Sequence, residues 1–421
     1  MTEYPIGSAE QIATQLQANE HHLRELIRTG STPRAIQRLR RFVSEPACTI
    51  VLESARLQSK AIKKLGFAES ERTGSESTEP GVWWVNDRSL QQATPWQVAQ
   101  HKSRWVKNNS IVDLCCGVGG DAMQFPASVS ITAIDRDPLI AAMAKVNLRR
   151  RDHPERVEVR CQEVESFLPM GFSGLQDSQL HIDPDRRVSD RRHTAVDGYE
   201  PEWQWVKETA DRFPTMVKLA PAARLSDEML PSLQHRCWIS LQRSVREQTL
   251  LCGELVDRNA LPASGRSAVM IAADATARLF APPAEAVDLW KSPGNSVTQP
   301  KAKLVDPDPA IRAGELTVAF AETFGLSMIG GPTGFLTTDQ DDWPEGEAMA
   351  IASTVIWHGR CDLKIIRKEL RDRNAYAETL KVRGTDHDPS KILKSLRKTG
   401  DQPLTLWIGR NTERVYAALT V

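Results

Sequence analysis

The feature that most constrains the fold is a pair of short apolar strands joined by a glycine-rich turn, which spans residues 110–138, SIVDLCCGVGGDAMQFPASVSITAIDRDP. The first strand ends at Asp113, and Asp135 closes the second strand 22 residues later. Glycines in such a turn let backbone N–H groups approach a ligand that a Cβ would block. An acid that closes the second strand can bind both hydroxyls of a ribose. This order predicts a site for an adenosine-bearing cofactor at the edge of a parallel sheet.

The residues of the turn indicate which cofactor binds. The turn reads G-x-G-G-D, whereas a dinucleotide fingerprint reads G-x-G-x-x-G. Asp113 and Asp121 would repel a pyrophosphate but would attract the amino group and sulfonium of S-adenosylmethionine. An ordinary strand–turn–helix that binds nothing is the alternative interpretation. The spacing to Asp135 favours the cofactor, so we expect S-adenosylmethionine.

The alternation of strands and helices predicts the fold class. Apolar segments that are typical of strands occur at 110–115, 129–134, 156–161, 179–183, 214–219, 236–242 and 267–272. Helical segments lie between several of them, which predicts an α/β fold with a doubly wound, Rossmann-like parallel sheet of seven strands. We expect three domains: a helical N-terminal region at 1–80, the Rossmann-like domain at 81–280, and a linker with a small α/β domain at 281–421.

The composition narrows the class of protein. Basic and acidic residues balance at 54 each, so no overall field announces a nucleic-acid partner. The seven cysteines include no C-x-x-C pair, and the histidines lack metal spacing, which indicates neither a disulfide framework nor a metal site. No signal pattern or membrane-length apolar run occurs, and we expect a cytoplasmic protein.

The end of the fourth predicted strand carries the candidate catalytic group. Asp183 is followed by Pro184, which fixes the turn and holds the carboxylate at the carboxyl edge of the sheet, beside the cofactor. Amino-methylating enzymes have Asp/Asn-Pro-Pro-aromatic here, whereas this chain continues with Asp185 and Arg186, which puts a nucleobase amine as acceptor in doubt. Lys218, at the end of the fifth strand, is expected to face the pocket mouth or to extend into solvent.

Two basic segments are candidates for nucleic-acid contacts. Arg186 and Arg187 follow Asp183 and precede Tyr199, so they could bind a phosphate beside an aromatic ring. Residues 360–400 hold twelve Lys/Arg against six Asp/Glu. Such segments bind phosphate backbones, although charge-rich exposed helices often serve only solubility.

Five motifs together resemble one bacterial family: VDLCCGVGGD, AIDRDP, IDPDRR, VKLAP and LKVRGTDHDPSKILKSLRK. They are similar to class I methyltransferases that carry a THUMP-like C-terminal domain, and the resemblance covers roughly residues 50–421. THUMP domains deliver tRNA or rRNA to a methyltransferase core, so the resemblance implies RNA as the partner.

The resemblance and the motifs together define three sets of candidate residues. The cofactor-binding set is Asp113, Cys115, Gly117, Gly119, Asp121, Asp135, Arg136 and Glu163. The catalytic set is Asp183 and Pro184. The nucleic-acid-binding set is Arg186, Arg187, Lys381, Arg383, Lys391, Lys394 and Lys398.

The leading hypothesis from the sequence is an RNA methyltransferase that acts on tRNA or rRNA. A non-catalytic RNA-binding or scaffold protein that retains cofactor binding is one alternative, and the missing aromatic residue after Asp183-Pro184 favours it. A methyltransferase of a small molecule or a protein is another. The sequence leaves the modified atom and the oligomeric state undetermined.

Overall fold

The computed structural model describes residues 7–66, 81–168, 175, 177–185, 187–188, 191–192, 196–262, 265–282, 295–341, 348–398 and 400–421, with the backbone alone at 187–188, 191–192 and 197. The chain divides into two compact units. The first comprises Met1–His235, Glu247–Ala263 and Ala273–Thr276, and the second comprises Arg236–Arg246, Ser264–Ala272 and Ala277–Val421.

Four helices open the first unit, as the apolar spacing of residues 8–65 predicts. They are α1 (Ala9–Ala18), α2 (Glu20–Thr29), α3 (Pro33–Phe42) and α4 (Glu45–Leu65). A capping box between Ser8 and Gln11 starts α1, and Thr32 caps α3, which has Pro33 in its first turn. Because Ile12 and Leu16 on α1 are buried, this helix packs on the body of the unit instead of standing apart.

A mixed sheet forms the centre of the first unit. Its strands are β1 (Ser110–Leu114), β2 (Ser130–Asp135), β3 (Val157–Cys161), β4 (Ser178–Ile182), β7 (Thr215–Leu219) and β9 (Ser244–Cys252), and the short hairpin β5 (Arg187–Val188) and β6 (Arg191–Arg192) lies outside it. The order is β3-β2-β1-β4-β7-β9, in which the first five strands run parallel and β9 pairs antiparallel with β7. Parallel strands bring their carboxyl ends to one edge, where doubly wound folds bind their ligands.

Helices precede, connect and follow these strands. They are α5 (Asp87–Gln92), α6 (Trp96–Ser103), α7 (Pro138–Leu148), α8 (Val164–Phe167), α9 (Trp203–Arg212) and α10 (Glu254–Arg258). The sequence predicts one helix over Leu90–Val106, but this stretch contains the end of α5 and all of α6, because Pro95 interrupts the backbone hydrogen bonding between them.

The predicted sheet of seven strands differs from the structure in the strands that follow β7 in the chain. The segments at 236–242 and 267–272 are strands, β8 (Gln234–Leu241) and β10 (Arg266–Ile271), and they pair in parallel, with β11 (Ala277–Phe280) antiparallel to β10. The additional strand β9 was missed. Gln242 and Arg243 join it to β8 with positive φ angles of 50° and 60°. Such two-residue turns normally use Asn or Gly, and neither residue signals this one.

The second unit contains an eight-stranded sheet with the order β12-β14-β15-β13-β16-β19-β18-β17. These strands are β12 (Ser296–Val297), β13 (Lys303–Pro307), β14 (Ser327–Ile329), β15 (Phe335–Thr338), β16 (Ala350–Arg360), β17 (Ala375–Val382), β18 (Gln402–Arg410) and β19 (Val415–Thr420). Its helices are α11 (Pro309–Ala313), α12 (Thr317–Thr323), α13 (Leu363–Asp372) and α14 (Pro389–Ser395). The sequence predicts helices at 362–373 and 389–399 and strands at 377–384, 403–409 and 413–420, and all five are present within a few residues of these bounds. The strands between 296 and 360 were not predicted.

Candidate functional site

A cavity of about 1110 Å³ opens at the carboxyl edge of the sheet in the first unit. Its wall is built from the segments that follow β1, β2, β3, β4 and β7, with contributions from α1 and α5. The sequence-predicted residues that line it are Cys115, Gly117, Asp121, Asp135, Arg136, Glu163, Asp183 and Pro184. Asp113 and Gly119, also predicted, lie outside the lining.

The glycine-rich turn has the backbone that a ligand cradle needs. Cys115, Gly117 and Gly119 all have positive φ angles, of 61°, 57° and 83°. A Cβ at Gly117 would meet no protein atom within 4 Å, so the space beside it is open to a ligand. A Cβ at Gly119 would lie 2.9 Å from Leu148 Cγ, so this glycine allows α7 to pack against the turn. Burial and the nearby Asp135 raise the pKa of the Cys115 thiol, which therefore stays neutral.

Asp135 closes β2 at the cavity wall and holds the turn in place. Its Oδ2 accepts a hydrogen bond of 3.0 Å from the Gly117 N–H, and its Oδ1 accepts one of 3.0 Å from the Asp137 N–H. Burial raises the pKa of this carboxyl to about 6, although the two N–H donors oppose that shift. Each carboxylate oxygen can accept a second hydrogen bond, so both remain able to bind ribose hydroxyls.

An ion-pair chain borders the cavity. The guanidinium of Arg136 contacts the carboxylate of Glu200 and lies 3.9 Å from Glu163 Oε2. Glu163 is the N-cap residue of α8 and is half exposed. Glu163, one of the predicted cofactor-binding residues, is thus at the cavity wall, and Arg136 links it to the loop that carries Glu200.

Asp183 is paired with a lysine, which corrects one sequence-based expectation. Lys218 was expected at the pocket mouth or in solvent, yet its side chain is 5% exposed. Its Nζ lies 2.6 Å from Asp183 Oδ2 and donates to Thr94 Oγ1 at 2.9 Å. An ammonium on a buried strand requires a carboxylate partner, and here that partner is the candidate catalytic acid. Lys218 therefore fixes the orientation of Asp183.

A second lysine lies beneath the glycine-rich turn and was missed from the sequence. Lys102 on α6 is fully buried, and its Nζ lies 2.6 Å from Asp121 Oδ1 and 3.3 Å from Glu247 Oε1. Burial alone would lower the pKa of Lys102, but these two carboxylates outweigh it and raise that pKa. Burial alone would raise the pKa of Asp121, and Lys102 reverses this, so the ion pair stays charged. The local sequence of this helix, WQVAQHKS, carries no signal that the lysine is buried.

Asp113 belongs to the same buried network. His181 on β4 connects Asp113 to Lys102, since its Nδ1 lies 2.7 Å from Asp113 Oδ1 and its Nε2 lies 3.3 Å from Lys102 Nζ. Burial raises the pKa of Asp113, and His181 opposes the shift. Asp113 is 0% exposed, so it supports the residues of the cavity wall without facing the cavity.

The charges around the cavity are predominantly negative. The acidic residues of the lining are Asp121, Asp135, Asp137, Glu163, Glu165, Asp183, Asp185, Glu200 and Glu202, whereas the basic ones are Arg88 and Arg136. Lys102 and Lys218 pair with Asp121 and Asp183 from outside the lining. This surplus disfavours a pyrophosphate and favours a ligand that carries positive charge.

The loop after β4 contributes less than the sequence suggested. Arg186 lies outside the described residues, and the side chain of Arg187 is not described. Tyr199 is buried, and its hydroxyl accepts a hydrogen bond from the Ala220 N–H, so it belongs to the core. Asp185 lies on the cavity wall, where it pairs with Arg88 at 2.8 Å and bridges to the Glu200 backbone.

The predicted nucleic-acid residues of the second unit fall into two groups. Lys391, Lys394 and Lys398 are exposed on α14 and on the segment that follows it. Lys381 and Arg383 are partly buried beside Asp306. Only the first group therefore forms an open basic face.

The described part of the chain contains neither a membrane-spanning helix nor a metal-binding cluster. No described helix is long and apolar enough to span a bilayer. Among the same residues, no cluster of three or more His, Cys, Asp or Glu side chains has an arrangement that could hold a metal ion.

Comparisons with known proteins agree with this geometry. Two curated proteins of Mycobacterium tuberculosis, from strains CDC 1551 and H37Rv, are each described as an uncharacterized S-adenosylmethionine-dependent methyltransferase. Each is 25% identical over 367 residues, which is 86% of this chain and 92% of the relative. A crystal structure of a candidate methyltransferase from Porphyromonas gingivalis W83 matches with a TM-score of 0.74 at 15% identity, and covers 99% of both chains. No protein-family model matches.

These similarities extend over nearly the whole chain, not only over the glycine-rich turn. They confirm the sequence-based predictions of enzyme class and cofactor, and the structural match shows that the fold as a whole occurs in another protein.

Proposed function

We propose that this S-adenosylmethionine-dependent methyltransferase acts on RNA, tRNA or rRNA, and that its second unit contributes the RNA affinity. The observation that carries the proposal is the contrast between an acidic cavity in the first unit and an exposed basic face in the second. The THUMP-like character that the sequence of the tail suggests is part of this proposal.

The cofactor would occupy the cavity of the first unit. Asp135 would accept hydrogen bonds from the ribose hydroxyls, and Glu163 would meet the adenine amino group. The open space beside Gly117 admits the ligand against the backbone of the turn. The buried carboxylate Asp113 would act indirectly, through the charge of the cavity floor and the position of the turn.

Asp183 would orient the acceptor and accept its proton. When bound, S-adenosylmethionine supplies a methyl group already activated by a sulfonium, so the protein mainly positions the acceptor and excludes water. Lys218 engages Asp183 Oδ2, which leaves Oδ1 for the acceptor. Pro184 restricts the backbone after the carboxylate and keeps this geometry fixed.

The basic face of the second unit supports RNA as the acceptor. Two helices and the segment after the second one carry its exposed cations, which are Lys364, Lys368, Arg371, Lys391, Lys394, Arg397 and Lys398. The helices α13 and α14 are adjacent, since Arg367 donates to the Ser395 carbonyl at 3.1 Å. Lys398 also lies over the Tyr376 ring at 4.4 Å, which places an aromatic ring beside the cations. Cations on neighbouring helices suit the phosphate backbone of a folded RNA.

The direct test is methyl transfer from labelled S-adenosylmethionine to total RNA from cells that lack the protein. We expect label in one RNA species and one modified nucleoside, and little label in RNA from cells that contain the protein. Label that enters only protein or small molecules would refute RNA as the substrate. Absence of all transfer, with the cofactor still bound, would favour a non-catalytic scaffold.

A further inference from the structure

Four basic side chains of the second unit surround one buried carboxylate, that of Asp306 on β13. They come from the β8–β9 turn, α11, β17 and the residue after β17: Arg243, Arg312, Lys381 and Arg383. We call this group the Asp306 cluster. The Asp306 side chain is 6% exposed, whereas the four basic side chains are between 15% and 35% exposed. The cluster therefore has a buried centre and an accessible outer side.

The Asp306 cluster carries more positive than negative charge. Asp308 is a second carboxylate, 3.8 Å from Arg243 Nη1, so four cations face two carboxylates. Burial and the neighbouring Arg383 lower the pKa of Arg312 to about 10, although Asp306 opposes the shift. Burial lowers the pKa of Lys381, with Arg243 and Arg383 adding to the effect. Such cations are only partly neutralised by the protein.

The contacts within the cluster are loose on the guanidinium side. Lys381 Nζ lies 3.1 Å from Asp306 Oδ2, but the three guanidinium groups lie 3.6–3.8 Å from the carboxylate. Within the described residues, Arg383 Nε has no hydrogen-bond partner. A structural ion pair normally holds a guanidinium and a carboxylate in short paired hydrogen bonds. Among the described residues, Arg243 Nη2 and Arg312 donate to backbone carbonyl groups, so the donors left for a further anion are those of the Arg383 guanidinium and Arg243 Nη1.

Neighbouring elements hold the cations in place. Lys381 Nζ lies 4.4 Å from the Trp407 ring centroid, and Arg383 lies over the Phe335 ring at 6.0 Å. Arg312 donates to the carbonyl groups of Thr333 and Gly334 in a glycine-rich loop. Arg312 Nη1 also lies 3.7 Å from Asp306 Oδ1, so this guanidinium is held from two sides. The cations are thus fixed before any ligand arrives, which lowers the cost of binding.

We propose that the Asp306 cluster is a binding site for a phosphate group, either a phosphodiester of an RNA backbone or a free phosphate. The site takes an anion because its surplus charge is positive and its donors are guanidinium groups, which match phosphate geometry. The carboxylate of Asp306 sets the spacing of the four cations and offsets the electrostatic repulsion among them. The RNA source rests on the proposed function, whereas the free-phosphate source does not.

The test uses the full chain and two probes, inorganic phosphate and a fluorescently labelled oligoribonucleotide. Arg383→Gln and Arg243→Gln each remove one cation that is about one-third exposed, so the fold should tolerate them. Lys301→Gln, which removes a similarly exposed cation of the same unit, is the matched control. Binding of S-adenosylmethionine and the melting temperature verify that each variant is folded. We expect the affinity for the probe that the site binds to fall about tenfold in each cluster variant and to stay unchanged in the control.

The two probes separate the sources of phosphate. Weaker oligoribonucleotide binding in both cluster variants assigns the site to an RNA backbone. Weaker binding of inorganic phosphate alone assigns it to a free phosphate and leaves the RNA proposal to stand on α13 and α14. If both variants bind both probes as tightly as the Lys301→Gln control, the proposal is overturned and the cluster is an internal ion-pair network.

Discussion

The two units bury charge in opposite arrangements. In the first unit the ammonium of Lys102 is enclosed by the carboxylates of Asp121 and Glu247. In the second unit the carboxylate of Asp306 is enclosed by cations, of which Lys381 is the nearest. Each central group is almost inaccessible, and each is surrounded by a surplus of the opposite sign.

This difference separates a negative and a positive surplus of charge within one chain that has no net charge. The composition of 54 basic and 54 acidic residues conceals the separation, because only local surplus determines which ligand is attracted. The negative surplus suits a sulfonium cofactor and the positive surplus suits phosphate. Four measurements test this separation of charge between the two units.

The largest effect is expected at the candidate catalytic carboxylate. Asp183→Ala should lower the rate of methyl transfer between about 100-fold and 10,000-fold, because it removes a proton acceptor at the acceptor site. Cofactor affinity should stay close to that of the wild type. Single-turnover transfer and calorimetry measure the two quantities.

Asp185→Asn is the matched control, since Asp185 lies on the same cavity wall two residues later. It should retain most of the transfer rate. Unchanged turnover in Asp183→Ala would mean that Asp183 only shapes the turn and that the acceptor is bound elsewhere.

The next largest effect concerns the buried ammonium of the first unit. Lys102→Met should lower the free energy of unfolding by about 3–5 kcal/mol, because it leaves two buried carboxylates without their cation. Urea unfolding measures the change. Lys107→Met removes an exposed lysine near the same helix and should change that free energy by less than about 0.5 kcal/mol. Equal stability of the two variants would show that Lys102 is not the centre of this charge arrangement.

The third prediction uses the pKa of Asp135. Its carboxyl has a pKa of about 6 in the free protein, above the ordinary value of 3.8, so a proton binds there at mildly acidic pH. Because only the ionised form offers all its lone pairs to ribose hydroxyls, cofactor affinity should fall as the pH drops below about 6. An unshifted acid would lose affinity two units lower.

Calorimetric titrations with S-adenosylmethionine between about pH 5 and pH 8 measure this dependence. Asp135→Asn should bind more weakly by about 1–3 kcal/mol at neutral pH and should show a flatter profile. A variant that follows the same pH dependence as the wild type would assign the titration to another group.

The sequence predicted the cofactor edge better than the rest of the molecule. The turn between Asp113 and Asp135 has a local signature, since its glycines and acids are close in the chain. The buried partners do not: Lys102, His181 and Glu247 come from α6, β4 and β9, and nothing in their spacing announces that they meet. Lys218 was expected at the pocket mouth or in solvent because its neighbours are apolar, and its carboxylate partner is 35 residues away in the chain.

The same limit applies to the second unit. Its terminal elements have clear periodicity and turn residues, so the helices and strands after residue 362 could be predicted. The positions of Lys381 and Arg383 could not, because only the pairing of β13 and β16 and the approach of β17 bring them to Asp306. Their basic character was visible, but their burial was not.

The smallest single effect, and the most direct test, is a crossed binding measurement on two variants. Asp135→Ala alters the acidic cavity, and the triple charge reversal of Lys391, Lys394 and Lys398 to Glu alters the basic face. For each, calorimetry gives the affinity for S-adenosylmethionine, and fluorescence anisotropy over a range of salt gives the affinity for RNA.

We predict that Asp135→Ala loses only cofactor affinity. The triple variant should lose only RNA affinity, with a salt slope flatter by about 2 because three phosphate contacts are removed. If the triple variant binds RNA as tightly as the wild type at low salt, or if either variant loses the other ligand instead, the account of two oppositely charged binding regions is wrong.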